Sequence, residues 1–350
     1  MYNEIFTLVL AGVMAILFSW AFRTLPGERW QVLACFPTTK RSDGIWRGVN
    51  LTYYGFFNAF AYLFAVIMFL IMMGSINIKM IAAICLIIPF LTICMLASRL
   101  IARWVEKKLH TFSVGGASFF GILIGPWIIC FVNTTLGKWF EFRMPMLETL
   151  TAIFIAYAFG EGIGRLGCIS FGCCYGKPLD ACHPLIRRIF KTWNFTFRGK
   201  TKKIAYAQKL EGQAVVPVQA LTAVVYTGTG ILCFYLFLQG FTKTALIITL
   251  VVTQGWRFAS EFLRADHRGK GFISVYQTMT LFAIGYTLLI VPFIKESHAG
   301  LPNLLTGIIA LWDPGIIVFL ISLWIISFIY SGKSSVTCSS IDIQIIEDNI

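Results

Sequence analysis

The sequence predicts an all-α fold: a polytopic helical integral membrane protein with about nine transmembrane helices and a small polar head loop. Three observations point there. Hydrophobic residues make up 57% of the 350-residue chain and charged residues 13%, against about 45–50% and about 25% in soluble domains. Mean hydropathy is +0.77. The apolar stretches are long enough to cross a bilayer, for which about 20 residues suffice, and lack the period-two alternation of outer-membrane barrel strands. So few charges cannot cover that much apolar surface in water, which excludes a soluble enzyme and a disordered chain. The formal charge of +13 favours anionic lipid surfaces and polyanionic ligands. Nucleic acid is not expected as a partner, because the basic residues sit in short loops between apolar spans.

Candidate spans run near 4–22, 51–73, 80–98, 115–134, 148–166, 217–239, 245–262, 273–293 and 309–330. The first lacks a basic leader and a small-residue cleavage site before Arg23, so it reads as a retained helix. Gly240 leaves almost no loop between the sixth and seventh spans, which predicts a tight hairpin. From Ser331 the chain is Ser-rich and then acidic, as in a mobile tail. This order suggests N-terminal helices over 1–109, a membrane core over 110–294 and a C-terminal helix and tail over 295–350.

The long loop 177–216 carries nine basic residues against Asp180 and Glu211, a balance of +7 and more than half the net charge. Trp193, Phe195 and Phe197 alternate with polar neighbours there, as in a short strand or an interfacial segment. A cytoplasmic loop obeying the positive-inside rule and a small head domain gathering anionic lipid or peptide both fit.

Ionisable residues inside apolar spans are costly and mark function. One such stretch runs from Gly160-Glu161 to Arg165-Leu166-Gly167-Cys168, with Gly160, Gly162, Gly164 and Gly167 allowing close approach of backbone or a lipid headgroup. A second is Arg257, Glu261 and Arg264, whose spacings of four and seven place them on one helix face. An Arg257–Glu261 ion pair that only makes the helix tolerable is one explanation. The other is an anion site, in which a guanidinium grips phosphate bidentately while the carboxylate orients it. The third is Cys168, Cys173, Cys174 and Cys182-His183. A metal site, packing or a disulfide, and a reactive thiol all remain open. The spacing matches no common metal motif, and adjacent Cys173 and Cys174 do not easily face one ion.

Gly164-Arg165-Leu166-Gly167-Cys168, continuing to Gly172-Cys173-Cys174-Tyr175-Gly176, resembles the signature of the prolipoprotein diacylglyceryl transferase family, G-R-x-G-N-x-x-N-x-E-x-x-G. Three further stretches resemble that family in its order. They are Val114-Gly115-Gly116-Ala117-Ser118-Phe119-Phe120-Gly121, Val216-Pro217-Val218-Gln219, and Arg257-Phe258 through Glu261-Phe262 to Arg264. The resemblance covers roughly residues 110–290 and leaves the N-terminal spans and the final span outside. It places Arg165, Gly176, Arg257 and Glu261 on positions the family uses. Cys168 stands where the family has Asn, Cys173 where it has Glu, and Phe120 where it has an essential His. His110 lies ten residues before Phe120 and could replace that His only if the chain folded back.

The resemblance implies transfer of diacylglyceryl from phosphatidylglycerol to a lipoprotein-precursor thiol, with release of glycerol phosphate. It implies Arg165, Arg257 and Glu261 as catalytic residues, with Glu261 holding Arg257 or acting as base. It implies Gly164, Gly167, Cys168, Cys173, Gly176, Gln219 and Arg264 as substrate-binding residues, and neither metal nor organic cofactor. The expected location is the bacterial inner membrane. The resemblance puts the loop after the signature on the outer face, whereas counting basic loops puts it in the cytoplasm. Two rivals remain: a non-catalytic phospholipid-binding protein on the same scaffold, and a membrane redox protein using the cysteines.

Overall fold

The computed structural model describes residues 2–106, 114–265, 273–295, 300–333 and 341–344. In chain order it contains α1 (Tyr2–Thr24), β1 (Val32–Lys40), β2 (Trp46–Thr52), α2 (Tyr53–Ser75), α3 (Met80–Glu106), α4 (Val114–Thr134), α5 (Leu136–Trp139) and α6 (Met146–Phe171). A head follows, with α7 (Pro184–Phe190), β3 (Phe195–Thr196), α8 (Lys203–Gln208) and β4 (Ala214–Val215). The chain ends with α9 (Val218–Leu238), α10 (Thr242–Glu261), α11 (Val275–Ile290), α12 (Leu304–Ala310), α13 (Pro314–Gly332) and β5 (Ile341–Ile343).

Eight helices among the described residues are long and apolar enough to cross a membrane. The predicted seventh span, 245–262, folds as α10 but is not one of the eight, because Lys243, Gln254, Arg257 and Glu261 dilute it. It buries that polarity instead. Thr249 and Thr253 return their hydroxyl hydrogens to Ala245 O and Thr249 O at 2.7 Å each, and Arg257 is 8% exposed. A turn at Gly240, in the left-handed region (φ +83°), joins α9 to α10 as the predicted tight hairpin.

Local signals place the helix ends. Thr52 caps α2, Ser274 and Gln277 form a capping box on α11, and Asp313 caps α13 with Pro314 behind it. The core lies between α2, α6 and α9, where Phe159, Phe234 and Phe237 are fully buried. Residues such as Leu8, Ile16, Leu289 and Ile326 point outward, as hydrocarbon requires. At the α6–α9 contact a Cβ on Gly162 would stand 2.3 Å from Thr227 Oγ1, so only glycine lets the two backbones approach.

The fold is mostly helical, as expected, with a small sheet in addition. Residues 32–52 form an antiparallel hairpin, and β5 adds a third strand in the order β1-β2-β5. The turn holds Asp43, whose Oδ1 accepts from Ile45 N at 3.2 Å, and Gly44 at φ +85°. Pro37 sits at a register irregularity, where the missing N–H does least harm. The tail expected to be mobile from Ser331 is tied back in its described part: Ser331 and Gly332 end α13, Lys333 bridges Leu51, and Ile341–Ile343 pair with β2.

The basic loop is a folded head. Phe195 and Phe197 belong to a core shared with Phe18 of α1 and Leu166 of α6, while Trp193 stays exposed. Lys202 is fully buried and donates to Ser170 O at 2.6 Å and Leu25 O at 3.2 Å, the carbonyls at the ends of α6 and α1. A cation there complements both helix dipoles.

Burial pushes the Lys202 amine down to about 8, although Glu28 opposes the shift. An unfolded Lys keeps its value of 10.5, so between these values the unfolded chain binds a proton that the folded chain has released. Stability from this group therefore rises with pH across that window. Thermal unfolding in detergent should show the rise in the natural chain and lose it in Lys202→Met. Matching pH profiles for the two proteins would refute the assignment.

Candidate active site

Tyr157, Glu161 and Arg165 recur every four residues and share one face of α6. Glu161 Oε1 accepts from Arg165 Nη2 and, across the helix interface, from Arg257 Nη2 of α10 at 3.2 Å. Arg257 Nη2 also donates to Tyr157 Oη at 2.8 Å. Tyr226 stands edge-on to Tyr157 at 5.9 Å and donates to Thr253 O at 2.8 Å. Side-chain exposure is 4% for Glu161, 8% for Arg257 and 11% for Arg165. Among the described residues, two guanidiniums thus share one carboxylate, leaving one positive charge in a buried place. The Nε atoms of Arg165 and Arg257 are buried with no hydrogen-bond partner in the structure. Unmet donors beside an uncompensated charge suit an anion.

The ion pairing differs from the expected pattern. The carboxylate set against Arg257 is Glu161 of another helix, not the expected Glu261 of its own. Helix α10 stops at Glu261, so Arg264 lies past its end rather than on a continued helical face. There Arg264 bridges Gly176 of the signature, and its Nη1 lies 3.8 Å from Glu261 Oε1. Tyr157 carries no sequence signal, and Glu161 stands out in the sequence as part of an ionisable stretch but not as a site residue. The i, i+4 spacing of Glu161 and Arg165 was the available signal.

The glycines serve packing. A Cβ on Gly167 would meet Asn58 Nδ2 at 2.9 Å, and one on Gly176 would meet Val216 O at 2.3 Å, whereas Gly164 has ordinary room. Gly115, in the expected Gly-Gly segment, backs onto the site, since a Cβ there would stand 3.0 Å from Arg257 Nη1. Gln219 opens α9 as expected. It is fully buried and donates to Cys173 O at 2.9 Å. It therefore holds the signature loop in place.

That loop reverses tightly. Gly172 ends α6 in the left-handed region (φ +71°), Cys173 N–H returns to Cys168 O at 3.0 Å, and Cys174 follows at φ +54°. The reversal brings adjacent Cys173 and Cys174 to face one point, which their spacing alone made look difficult. The Cys168, Cys173 and Cys174 sulfurs all lie within 4.8 Å of one another. Cys182 hydrogen-bonds Pro178 O instead. The Cys174 thiol is held well below its ordinary range by hydrogen bonds from Cys168 and Cys173, with Arg264 and Arg165 nearby, against the opposing effect of burial.

Phe120 is half-buried on α4, five residues beyond Gly115 and so about 140° around the helix from it. His110 lies outside the described residues, as does the polar stretch Asp266-His267-Arg268. The one imidazole among the described residues, His183, is exposed at the start of α7, where it caps Leu185 N. No described imidazole accompanies the arginines.

The family model for prolipoprotein diacylglyceryl transferase matches residues 45–292. This match begins ahead of α2, so α2 and α3 fall inside the region of similarity that the motifs had placed near 110–290. A search among curated proteins finds no match. The model spans more than two thirds of the chain and contains the whole arginine cluster, and the chain belongs to the prolipoprotein diacylglyceryl transferase family.

Proposed function

We propose that this membrane transferase moves a diacylglyceryl group from phosphatidylglycerol to the thiol of a lipoprotein precursor or a related acceptor, in the bacterial inner membrane. The family supports diacylglyceryl transfer in lipoprotein biosynthesis. The observation that carries the choice of donor is the buried cluster of Arg165, Glu161 and Arg257, which among the described residues is one anion short and keeps two Nε donors unmet. A phosphodiester supplies that anion.

In this reaction the acceptor sulfur attacks the glyceryl carbon bearing the phosphate ester, the C–O bond breaks, and glycerol phosphate leaves. Charge grows on the leaving oxygen. Arg165 and Arg257 neutralise it from buried positions, where such interactions act most strongly. Glu161 is a positioning residue that keeps both guanidiniums aimed at one place. Glu261 steadies Arg264 where the end of α10 meets the signature loop. A phospholipid-binding protein without turnover is the second reading, favoured by Phe120 and by the absence of a described imidazole beside the arginines.

Purified protein with labelled phosphatidylglycerol and a lipobox peptide separates the two, since release of glycerol phosphate requires transfer while binding alone leaves the label in lipid. Arg257→Ala should abolish release with the protein still inserted, and Arg257→Lys should rescue poorly because it lacks the planar fork. Full activity in Arg257→Ala would reject the phosphate assignment.

Glu161→Gln leaves two buried guanidiniums facing each other without their shared counter-charge. Turnover should fall about 100-fold, the scale of losing one preorganised electrostatic contact. Glu261→Gln should cost less. The reverse order, read from initial rates of both variants, would return the main positioning role to Glu261.

A further inference from the structure

We propose that Cys168, Cys173 and Cys174 form a three-thiolate site for a soft divalent ion, zinc, whose fourth position receives the acceptor thiol. Three sulfurs within 4.8 Å of one another can share one tetrahedral ion, with Zn–S bonds of about 2.3 Å. All three cysteines are free of disulfides. The backbone is shaped to gather them, since the left-handed residues Gly172 and Cys174 turn the chain back on the end of α6 and Gln219 pins the Cys173 carbonyl. Three thiolates and one divalent ion carry one negative charge. Arg264 lies close enough to Cys174 to act on it electrostatically, and so can balance that charge while Arg165 stays with the donor phosphate.

Three protein ligands with an open fourth position are the arrangement of a reactive rather than a structural zinc. Arg165 places the ion beside the proposed donor phosphate. The inference rests on the transfer reaction proposed above and supplies what Phe120 cannot. The acceptor R–SH binds zinc as thiolate and gives its proton to solvent. Its sulfur lone pair forms the C–S bond as the glyceryl C–O bond breaks. Glycerol phosphate leaves with the bonding electrons, and the thioether, a weaker ligand, departs. No oxidant or reductant is needed.

Metal analysis of the full-length protein, purified in detergent under reducing conditions, should find one zinc per chain. Cobalt loaded in its place should give a sulfur-to-metal charge-transfer absorption. Cys168→Ser and Cys174→Ser should lose zinc and the cobalt absorption, Cys174→His should keep metal with an altered spectrum, and Cys35→Ser, remote from the loop, should change neither. Wild-type protein that takes up neither zinc nor cobalt while its three thiols titrate as free would overturn the site, as would Cys174→Ser binding like wild type. Removing zinc with a chelator should slow glycerol phosphate release about 100-fold, within the range of a proton-removing group, and added zinc should restore it. Release unchanged by chelation would overturn the ion's role and leave the transferase reading intact. Bound zinc without any release would uphold the site and reject the donor reading.

Discussion

Among the described residues, two arginines from different helices share a single carboxylate, and the architecture around them is arranged about that shortage of negative charge. Glu161 and Arg165 come from α6, and Arg257 comes from α10. Burying guanidinium groups costs several kcal/mol each unless they are paired and hydrogen-bonded. Glu161 and Tyr157 meet part of that demand, and the unmatched charge and the two idle Nε atoms are what a phosphate would complete. Holding the arrangement requires α6, α9 and α10 in fixed register. That explains why Gly162 of α6 faces Thr227 of α9, and a second glycine, Gly115 of α4, lets that helix close on the Arg257 guanidinium.

The polar stretch where α6 ends is continuous with this cluster. Gly176 pairs with Arg264, Lys177 N–H reaches Leu263 O at 2.9 Å, and Ala265 N–H reaches Tyr175 O at 3.1 Å. The signature loop and the end of α10 are therefore sewn together by backbone hydrogen bonds. Lys202 fastens the head to the ends of α6 and α1 from the other side. The cysteines are carried in the middle of this framework, with Gln219 below them and the arginines beside them. A thiol cluster in so constrained a loop differs from cysteines scattered in a core, such as Cys233.

Composition and periodicity were enough to read much of this fold, because a bilayer makes apolar length the dominant signal. The spans found by that rule correspond to α1, α2, α3, α4, α6, α9, α11 and α13. Polarity was informative for the same reason: Arg165 and Arg257 stood out because ionisable residues in spans need a purpose. The β1-β2 hairpin was overlooked because attention to twenty-residue apolar runs passes over a short strand pair, although Asp43-Gly44 is a readable turn.

By itself the sequence determined the membrane class, the order of the spans, the family motifs and the arginines, all of which follow from residue type and local spacing. Only the tertiary structure decided which carboxylate meets Arg257. Glu261 and Glu161 both lay in charged motifs, but local spacing favoured the neighbour on the same helix, while packing of α6 against α10 brings up Glu161. Likewise, adjacent Cys173 and Cys174 looked unable to converge until the left-handed turn at Gly172 and Cys174 was seen to fold them onto Cys168. Pairing across helices and reversal of a loop depend on contacts between residues distant along the chain, and one-dimensional spacing carries no record of them.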